Sequence, residues 1–423
     1  MPAKKVKAVK AISDMRFDQL HTLRRTYELP SDPTQPFINS ACEMSPLASE
    51  DLVFRFSEKG LPLQGTYTPP HMDATPPTPV PCWRDCSEEE AEQIVMSGGS
   101  LLVQGPPGSG KSWWVRERVK ALKKKGLRIA VIAKTHCACQ NFGMDAQTAD
   151  AWVRKEVRNG GSVRFDLVVV EELSQVEVQL FADLCKYSLA SGVAFILCGD
   201  FNQFSAIAEF WGSCCVPYGA LEQSDMVRDL AGSNRFTLTE NKRSDQILYD
   251  FYTSLSARPL ADALEEARMR FPVTSETPDV TLVISHSRRR YLNGKRNINE
   301  MPTEAVYFRA PVTGATGNGP QNMFLWPGLR IVGGGGALKR GVFATIESIS
   351  ADCEVVLDNG IKLTASQASR SIRLSSCLTY ASVQGLTLEG RVRLDCTESN
   401  HFTWKHLYVG SSRCTAHDLL EVV

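Results

Sequence analysis

Eight consecutive residues, Gly105-Pro106-Pro107-Gly108-Ser109-Gly110-Lys111-Ser112, satisfy the spacing GxxxxGK[ST]. Such a run is built for phosphate. Its glycines let backbone N–H groups converge on phosphate oxygens at a helix N-terminus, Lys111 reaches the terminal phosphates, and the Ser112 hydroxyl is offered to a magnesium ion. The context fits as well, because the apolar run SLLVQ (100–104) precedes the loop and the helical run SWWVRERVKALKKKG follows it. Hydrolysis of a bound triphosphate also requires a carboxylate for the metal and a group that positions the attacking water. Glu171 and Glu172 close the run DLVVV (166–170) and fill both needs, Glu171 holding the metal through water and Glu172 activating the nucleophile. At the carboxyl edge of a central strand both acids can face the loop. Asn241-Lys242 resembles a guanine-reading NKxD, but Ser244 stands in the acid's place and Asp245 comes one residue late. A guanine-reading site is therefore not expected, and magnesium is the expected metal. Trp113 and Trp114, just after the loop, are expected to pack the helix and not to stack on a base.

The elements that must hold these groups are legible around them. SLLVQ, RIAVIA (128–133), DLVVV and VAFILC (193–198) are apolar on both sides, as strands of a covered parallel sheet are, and helical stretches alternate with them. Ser87 and Glu90 form a capping box that opens the acidic helix SEEEAEQIV. A second β-rich region holds TLVIS (281–285), a glycine run (333–336), VFATIESI (342–349) and CEVVLDNGIKL (353–363), where Asn359-Gly360 signals a hairpin. RVRLDC (391–396) and HLYVGSS (406–412) are expected to be buried strands. Before the compact part, residues 1–60 show one amphipathic stretch, Met15 to Tyr27. Seven prolines between Leu61 and Pro81 mark an extended linker or wrapping arm.

Composition bounds what these elements belong to. A chain of 423 residues has room for two or three domains, and 43% hydrophobic with 22% charged residues is ordinary for a globular protein. No apolar run is long enough to cross a bilayer, and the basic start MPAKKVKAVKAI lacks the apolar core of a secretory signal. The expected location is intracellular, nuclear or cytoplasmic. The thirteen cysteines are scattered through apolar stretches, which suits buried thiols in a reducing compartment. Cys82 and Cys86, with His71 or Cys42, make a weak zinc pattern, and zinc is not expected. Basic and acidic residues balance at 47 each, so charge matters through its clusters, such as Arg288-Arg289-Arg290 with Lys295-Arg296.

Further motifs carry a family resemblance. Gly199-Asp200-Phe201-Asn202-Gln203 resembles the GDxxQ element of superfamily 1 helicases, in which the glutamine senses the terminal phosphate. EELSQV (171–176) is similar to that superfamily's acidic box, and LTENKRS (238–244) to its motif IV, with Arg243 in the place of the first arginine finger. Thr379 to Thr387, TYASVQGLT, resembles the motif that ends QGxT and puts Gly385 at the nucleotide. LYVGSSRC (407–414) is similar to the last motif, with Arg413 as the second finger. The order of these motifs matches the superfamily's, and the insertion-like segment WPGLRIVGGGGALKRGVFATIES points to its RecD-like and Pif-like branch.

The resemblance implies an α/β fold of two RecA-like parallel-sheet domains, at 87–240 and 241–423, with a small SH3-like β insertion at about 326–365 of the second; residues 61–86 remain the proline-rich linker. It implies an ATP hydrolase that translocates on single-stranded or forked nucleic acid, DNA before RNA, with 5′ to 3′ polarity. Thr135, His136, Thr148, Lys339 and Thr379 are the expected strand contacts; Trp326 and Trp404 are candidates for stacking platforms, with packing in the core the favoured reading of each. Replication or repair partners would engage the N-terminal region, and so compact a member would suit a virus or mobile element. The rival expectations are an RNA helicase, a nucleotide-gated binding protein without efficient unwinding, and an ATPase that remodels protein assemblies. Three departures bear on the choice. Glu171 stands where most members have Asp, only Ala151 to Arg164 separate the last strand-contact motif from the acids, and Gln93 lies nearer the loop than a base-contacting glutamine should.

Overall fold

The computed structural model describes residues 83–160, 164–206, 210–211, 214–216, 221–222, 224–311 and 319–423. The expected helix at 15–27, the proline-rich arm, and Cys42, His71 and Cys82 of the weak zinc pattern lie outside the described residues. No described helix is long and apolar enough to cross a membrane. Two parallel sheets organise the rest.

The first has seven strands: β1 (Arg84–Asp85), β2 (Leu101–Gln104), β3 (Ile129–Ala133), β4 (Gln147–Thr148), β5 (Leu167–Glu171), β6 (Ala194–Gly199) and β7 (Asn234–Thr237). Their spatial order is β1-β7-β2-β6-β5-β3-β4, and every pairing is parallel. Arg84 and Asp85, assigned from sequence to the end of the linker, thus form an edge strand. The continuous apolar runs are explained by cover on both faces. Trp114, Val115 and Val119 of α2 (Lys111–Lys124) pack one face, and Trp152, Phe181 and Leu184 pack the other. Ahead of α2, helix α1 (Glu88–Met96) begins with the Ser87–Glu90 capping box.

The second parallel sheet takes β8 (Val280–Val283), with strands 377–379, 392–394 and 420–422 arranged about it. Between them in sequence stands a five-stranded antiparallel sheet built from 330–333, 343–349, 355–357, 362–363 and 372–374. The Asn359-Gly360 turn joins its third and fourth strands, and the sheet encloses a core of its own around Ile331, Ile346 and Leu357. This β unit runs to Leu374, past the end of the expected insertion.

One expected strand is a helix. HLYVGSS lies in Trp404–Ser411, opened by a capping box between Thr403 and His406. Lys405 and Leu407 to Ser411 are all buried, so helical amphipathicity is invisible in this run and the apolar stretch imitates a strand. Its faces meet Tyr252, Tyr380 and the 200–204 segment.

Candidate active site and strand cleft

The phosphate loop leaves β2 and enters α2, while β5 and β6 end on the same edge of the sheet. A cleft of about 520 Å³ opens there, lined by Gly108, Lys111, Ser112, Glu171, Glu172, Gln203, Arg243, Gly385 and Arg413 among others. Residues more than 300 positions apart in sequence therefore meet around one space. Pro107 and Gly110 also line it; Gly105 and Ser109 are buried behind it, and Pro106 is half-buried outside its lining. The Lys111 ammonium donates to the Gly105 and Pro106 carbonyls at 2.7 and 2.9 Å. It is thereby held at the loop's own carbonyls.

The Ser112 hydroxyl donates to the Glu171 carboxylate. Glu171 ends β5 fully enclosed, and burial, reinforced by the neighbouring Glu172 charge, raises its pKa to about 7. Two hard oxygen donors side by side, one of them a carboxyl that a cation would keep ionised, are a fit for magnesium. Glu172 turns off the strand with φ +53°, a left-handed conformation unusual for a residue with a side chain. Its carboxylate is directed toward Gly385, where a Cβ would lie 3.0 Å from Oε1; at φ +74° that position suits glycine for its backbone as well.

The two arginines approach from beyond the first sheet. Arg243 crosses the loop so closely that a Cβ on Gly108 would sit 2.8 Å from its own Cβ. Arg413, only 1% exposed, donates to the carbonyls of Val409 and Leu386 at 3.1 Å and to Ser412 Oγ at 2.9 Å. Burial and the charge of Arg243 lower the Arg413 pKa to about 10, and burial lowers that of Arg243. Among the described residues neither has a carboxylate at ion-pair distance. A buried and a half-buried cation facing an open cleft call for an anion there.

Gln203 is buried, its amide nitrogen 3.4 Å from Asp200 Oδ2 and its side-chain carbonyl without a hydrogen-bond partner. Sequence reasoning missed what holds it. Tyr408 donates to Asp200 at 2.8 Å, and Lys405 donates to the backbone carbonyls of Phe201 and Gln203, both at 2.6 Å. Burial lowers the Lys405 pKa to about 8. The misassigned strand hid these residues, since a strand does not present positions 405 and 408 on one side. Tyr252, from helix Gln246–Thr253, was also missed; it donates to the Pro107 carbonyl at 2.8 Å.

A second cleft, of about 600 Å³, is lined by Thr135, His136, Thr148 and Thr379. The four are thus brought together. Lys339 is exposed and not among its lining residues; the adjacent Arg340 is, with His286 and Arg373. Burial, with Arg289 and Arg340 nearby, lowers the Arg373 pKa to about 9. Opposite, Lys134 is paired with Glu177 at 2.6 Å and Asp150 at 2.9 Å. Trp326 and Trp404 do not line the cleft, and Trp404 packs edge-on to Tyr408 at 6.0 Å. Arg373 had no sequence signal, standing alone in a short apolar strand.

Known proteins share both the sequence of this region and the fold. A model described as an AAA domain matches residues 88–246. The ATP-dependent DNA helicase PIF5 of Trypanosoma brucei brucei is 29% identical over 159 residues, covering 32% of this chain and 17% of that protein. The Pif1 helicase of Candida albicans superposes with a TM-score of 0.57 at 19% identity, over 80% of this chain and 94% of its own. The chain is similar to Pif1-like P-loop helicases. A Bacteroides Pif1 bound to ssDNA is similar too, with a TM-score of 0.55 at 15% identity over 80% of this chain and 92% of that one. These Pif1 structures share its two-domain RecA-like architecture. The match to the curated relative spans less than a fifth of that protein's length.

Proposed function

We propose that this Pif1-like chain is an ATP-driven motor that moves 5′ to 3′ on single-stranded DNA and unwinds the duplex ahead of it. The observation that carries the proposal is the first cleft, where the phosphate loop, two acids and two arginines converge. Its domains divide at about residue 240, residues 87–240 supplying the loop and acids and residues 241–423 the arginines.

In this mechanism Lys111 exchanges the loop carbonyls for phosphate oxygens, and the loop's N–H groups fix the rest of the polyphosphate. Ser112 and Glu171 would hold magnesium, which would offset phosphate charge. Glu172 accepts a proton from the attacking water, and Gln203 orients that water or the terminal phosphate through its unpartnered carbonyl and amide. Arg243 and Arg413 stabilise charge on the transferring phosphoryl group, which costs little reorganisation because both already line the cleft. The second cleft takes the strand, with Thr135, His136, Thr148 and Thr379 at its wall and Arg340 and Arg373 meeting phosphates. The similarity to an ATP-dependent DNA helicase and to a Pif1 bound to single-stranded DNA supports DNA as the track. The protein is assigned to an intracellular compartment.

ATP hydrolysis with and without DNA or RNA oligomers tests this. DNA should stimulate turnover more than RNA, Lys111→Ala should abolish it, and forks with a single 5′ tail should be opened in preference to forks with a 3′ tail. Hydrolysis that no strand alters would refute the motor.

A further inference from the structure

Lys405 stands ahead of the segment LYVGSSRC and outside every motif of the sequence. It occupies the first turn of the helix Trp404–Ser411 and is only 6% exposed. Helix formation does not explain a cation there, because positive charge in a first turn opposes the helix dipole, and burying an ammonium is costly in itself. The segment that follows β6 offsets that cost. The ammonium donates to the backbone carbonyls of Phe201 and Gln203, each at 2.6 Å, in short charge-assisted hydrogen bonds. It also lies 5.5 Å from the centre of the Trp404 ring.

These bonds bear on Gln203. Its side chain is loosely held, with the amide nitrogen 3.4 Å from Asp200 and the carbonyl without a hydrogen-bond partner, so its place in the first cleft is set by its backbone. Lys405 holds that backbone at the residue itself and at Phe201. The same helix leads to Arg413, so one element fixes both the amide and the second arginine that line the cleft. Among the described residues, the ionisable groups around the ammonium are Asp200, Tyr408 and His406, with Glu222 acting on Asp200 through space. Asp200 favours the charged ammonium and accepts from Tyr408 at 2.8 Å. Burial raises the pKa of Tyr408 and lowers that of His406 to about 4, so neither competes with Lys405 for a proton near neutral pH.

We propose that Lys405 is a positioning residue for hydrolysis, its ammonium holding the 201–203 backbone so that Gln203 and Arg413 face one phosphate, and that loss of its charge slows turnover without weakening nucleotide binding. The proposal rests on the ATPase reading above and adds a residue to it. ATP hydrolysis by the full chain, with magnesium and saturating single-stranded DNA, tests it for wild type, Lys405→Met and Lys405→Arg across neutral and alkaline pH. Near neutral pH Lys405→Met should lower kcat roughly 10- to 100-fold, the worth of a charge-assisted hydrogen bond, with KM within about twofold of wild type. Lys405→Arg keeps a charge and should recover most of the turnover. Burial lowers the Lys405 pKa to about 8, so the wild-type ammonium is charged below that pH and loses its proton above it. The ratio of wild-type to Lys405→Met kcat should therefore shrink as pH rises through about 8, groups common to both proteins cancelling, while Lys405→Arg holds its advantage over Lys405→Met. A ratio that does not change with pH overturns the proposal, as does a Lys405→Met loss that appears in KM and leaves kcat intact. Absence of hydrolysis by wild type at every pH would instead refute the ATPase reading.

Discussion

Glu171 stores a cost that a single substitution should release. Its carboxyl is enclosed at the end of β5, and burial together with the Glu172 charge moves its pKa from 4.5 to about 7. Below pH 4.5 the group is protonated in both the folded and the unfolded chain, so it favours neither. Between 4.5 and about 7 the unfolded chain releases the proton while the folded one keeps it, so the folded state binds more protons and loses stability as pH rises. Above that window the full cost is present. At about 1.4 kcal/mol per pH unit the displacement amounts to about 3 kcal/mol. Glu171→Gln preserves the shape and the acceptor for Ser112 and has no proton to lose. Its stability relative to wild type should therefore grow by about 3 kcal/mol between about pH 4 and about pH 8, measured by urea unfolding followed through tryptophan fluorescence. Groups that titrate alike in both proteins cancel in the difference. Excess magnesium at the higher pH should narrow the gap, because it binds the ionised carboxylate of wild type and finds no charge in the variant. A difference between the two proteins that does not change with pH would refute the reasoning.

Other contacts give further tests. Gly385→Ala places a methyl 3.0 Å from Glu172 Oε1 on a backbone at φ +74°; ATP turnover should fall, with thermal denaturation showing a loss of about 1–2 kcal/mol. Tyr252→Phe leaves the Pro107 carbonyl without its donor, and chemical denaturation should report about 1 kcal/mol of lost stability. Arg340→Gln should weaken single-strand binding and lower the slope of log affinity against log salt by about 0.7, with strand-free ATP hydrolysis unchanged.

Sequence exposed the parts of this molecule that are local. A phosphate loop is contiguous and must lie between strand and helix, so Gly105 to Ser112 announced both the chemistry and β2–α2. Glu171 and Glu172 were legible because a buried parallel strand is apolar until its carboxyl end. What stayed hidden depends on contacts between distant segments. Lys405 and Tyr408 acquire their partners, Asp200 and the 201–203 carbonyls, only when the helix 404–411 packs on the end of β6. That helix is buried on all sides, which erased the periodicity that would have revealed it. Trp113 and Trp114 are chemically identical neighbours, and a helical turn of about 100° per residue puts one in the core and the other on the cleft.

The two clefts are linked by segments that run from one to the other, which bears on how one could influence the other. Thr135 lines the second cleft and caps the helix His136–Phe142. From that helix Asn141 donates to the Gly385 carbonyl at 3.1 Å, and Gly385 lines the first cleft against Glu172. Thr379, in the second cleft, is joined to Gly385 through one short turn, Tyr380–Val383, and Gln384, whose amide donates to the Phe204 carbonyl at 3.1 Å. Phe204 in turn follows Gln203. A displacement of the 379–385 segment by a strand would therefore move Gly385 and the backbone next to Gln203 together. The reverse also holds, because a phosphate that repositions Gln203 or Arg413 pulls on the same segment through the Leu386 and Phe204 carbonyls. Coupling of this kind needs no relay across the fold. It follows from one seven-residue segment having its first residue in one cleft and its last in the other.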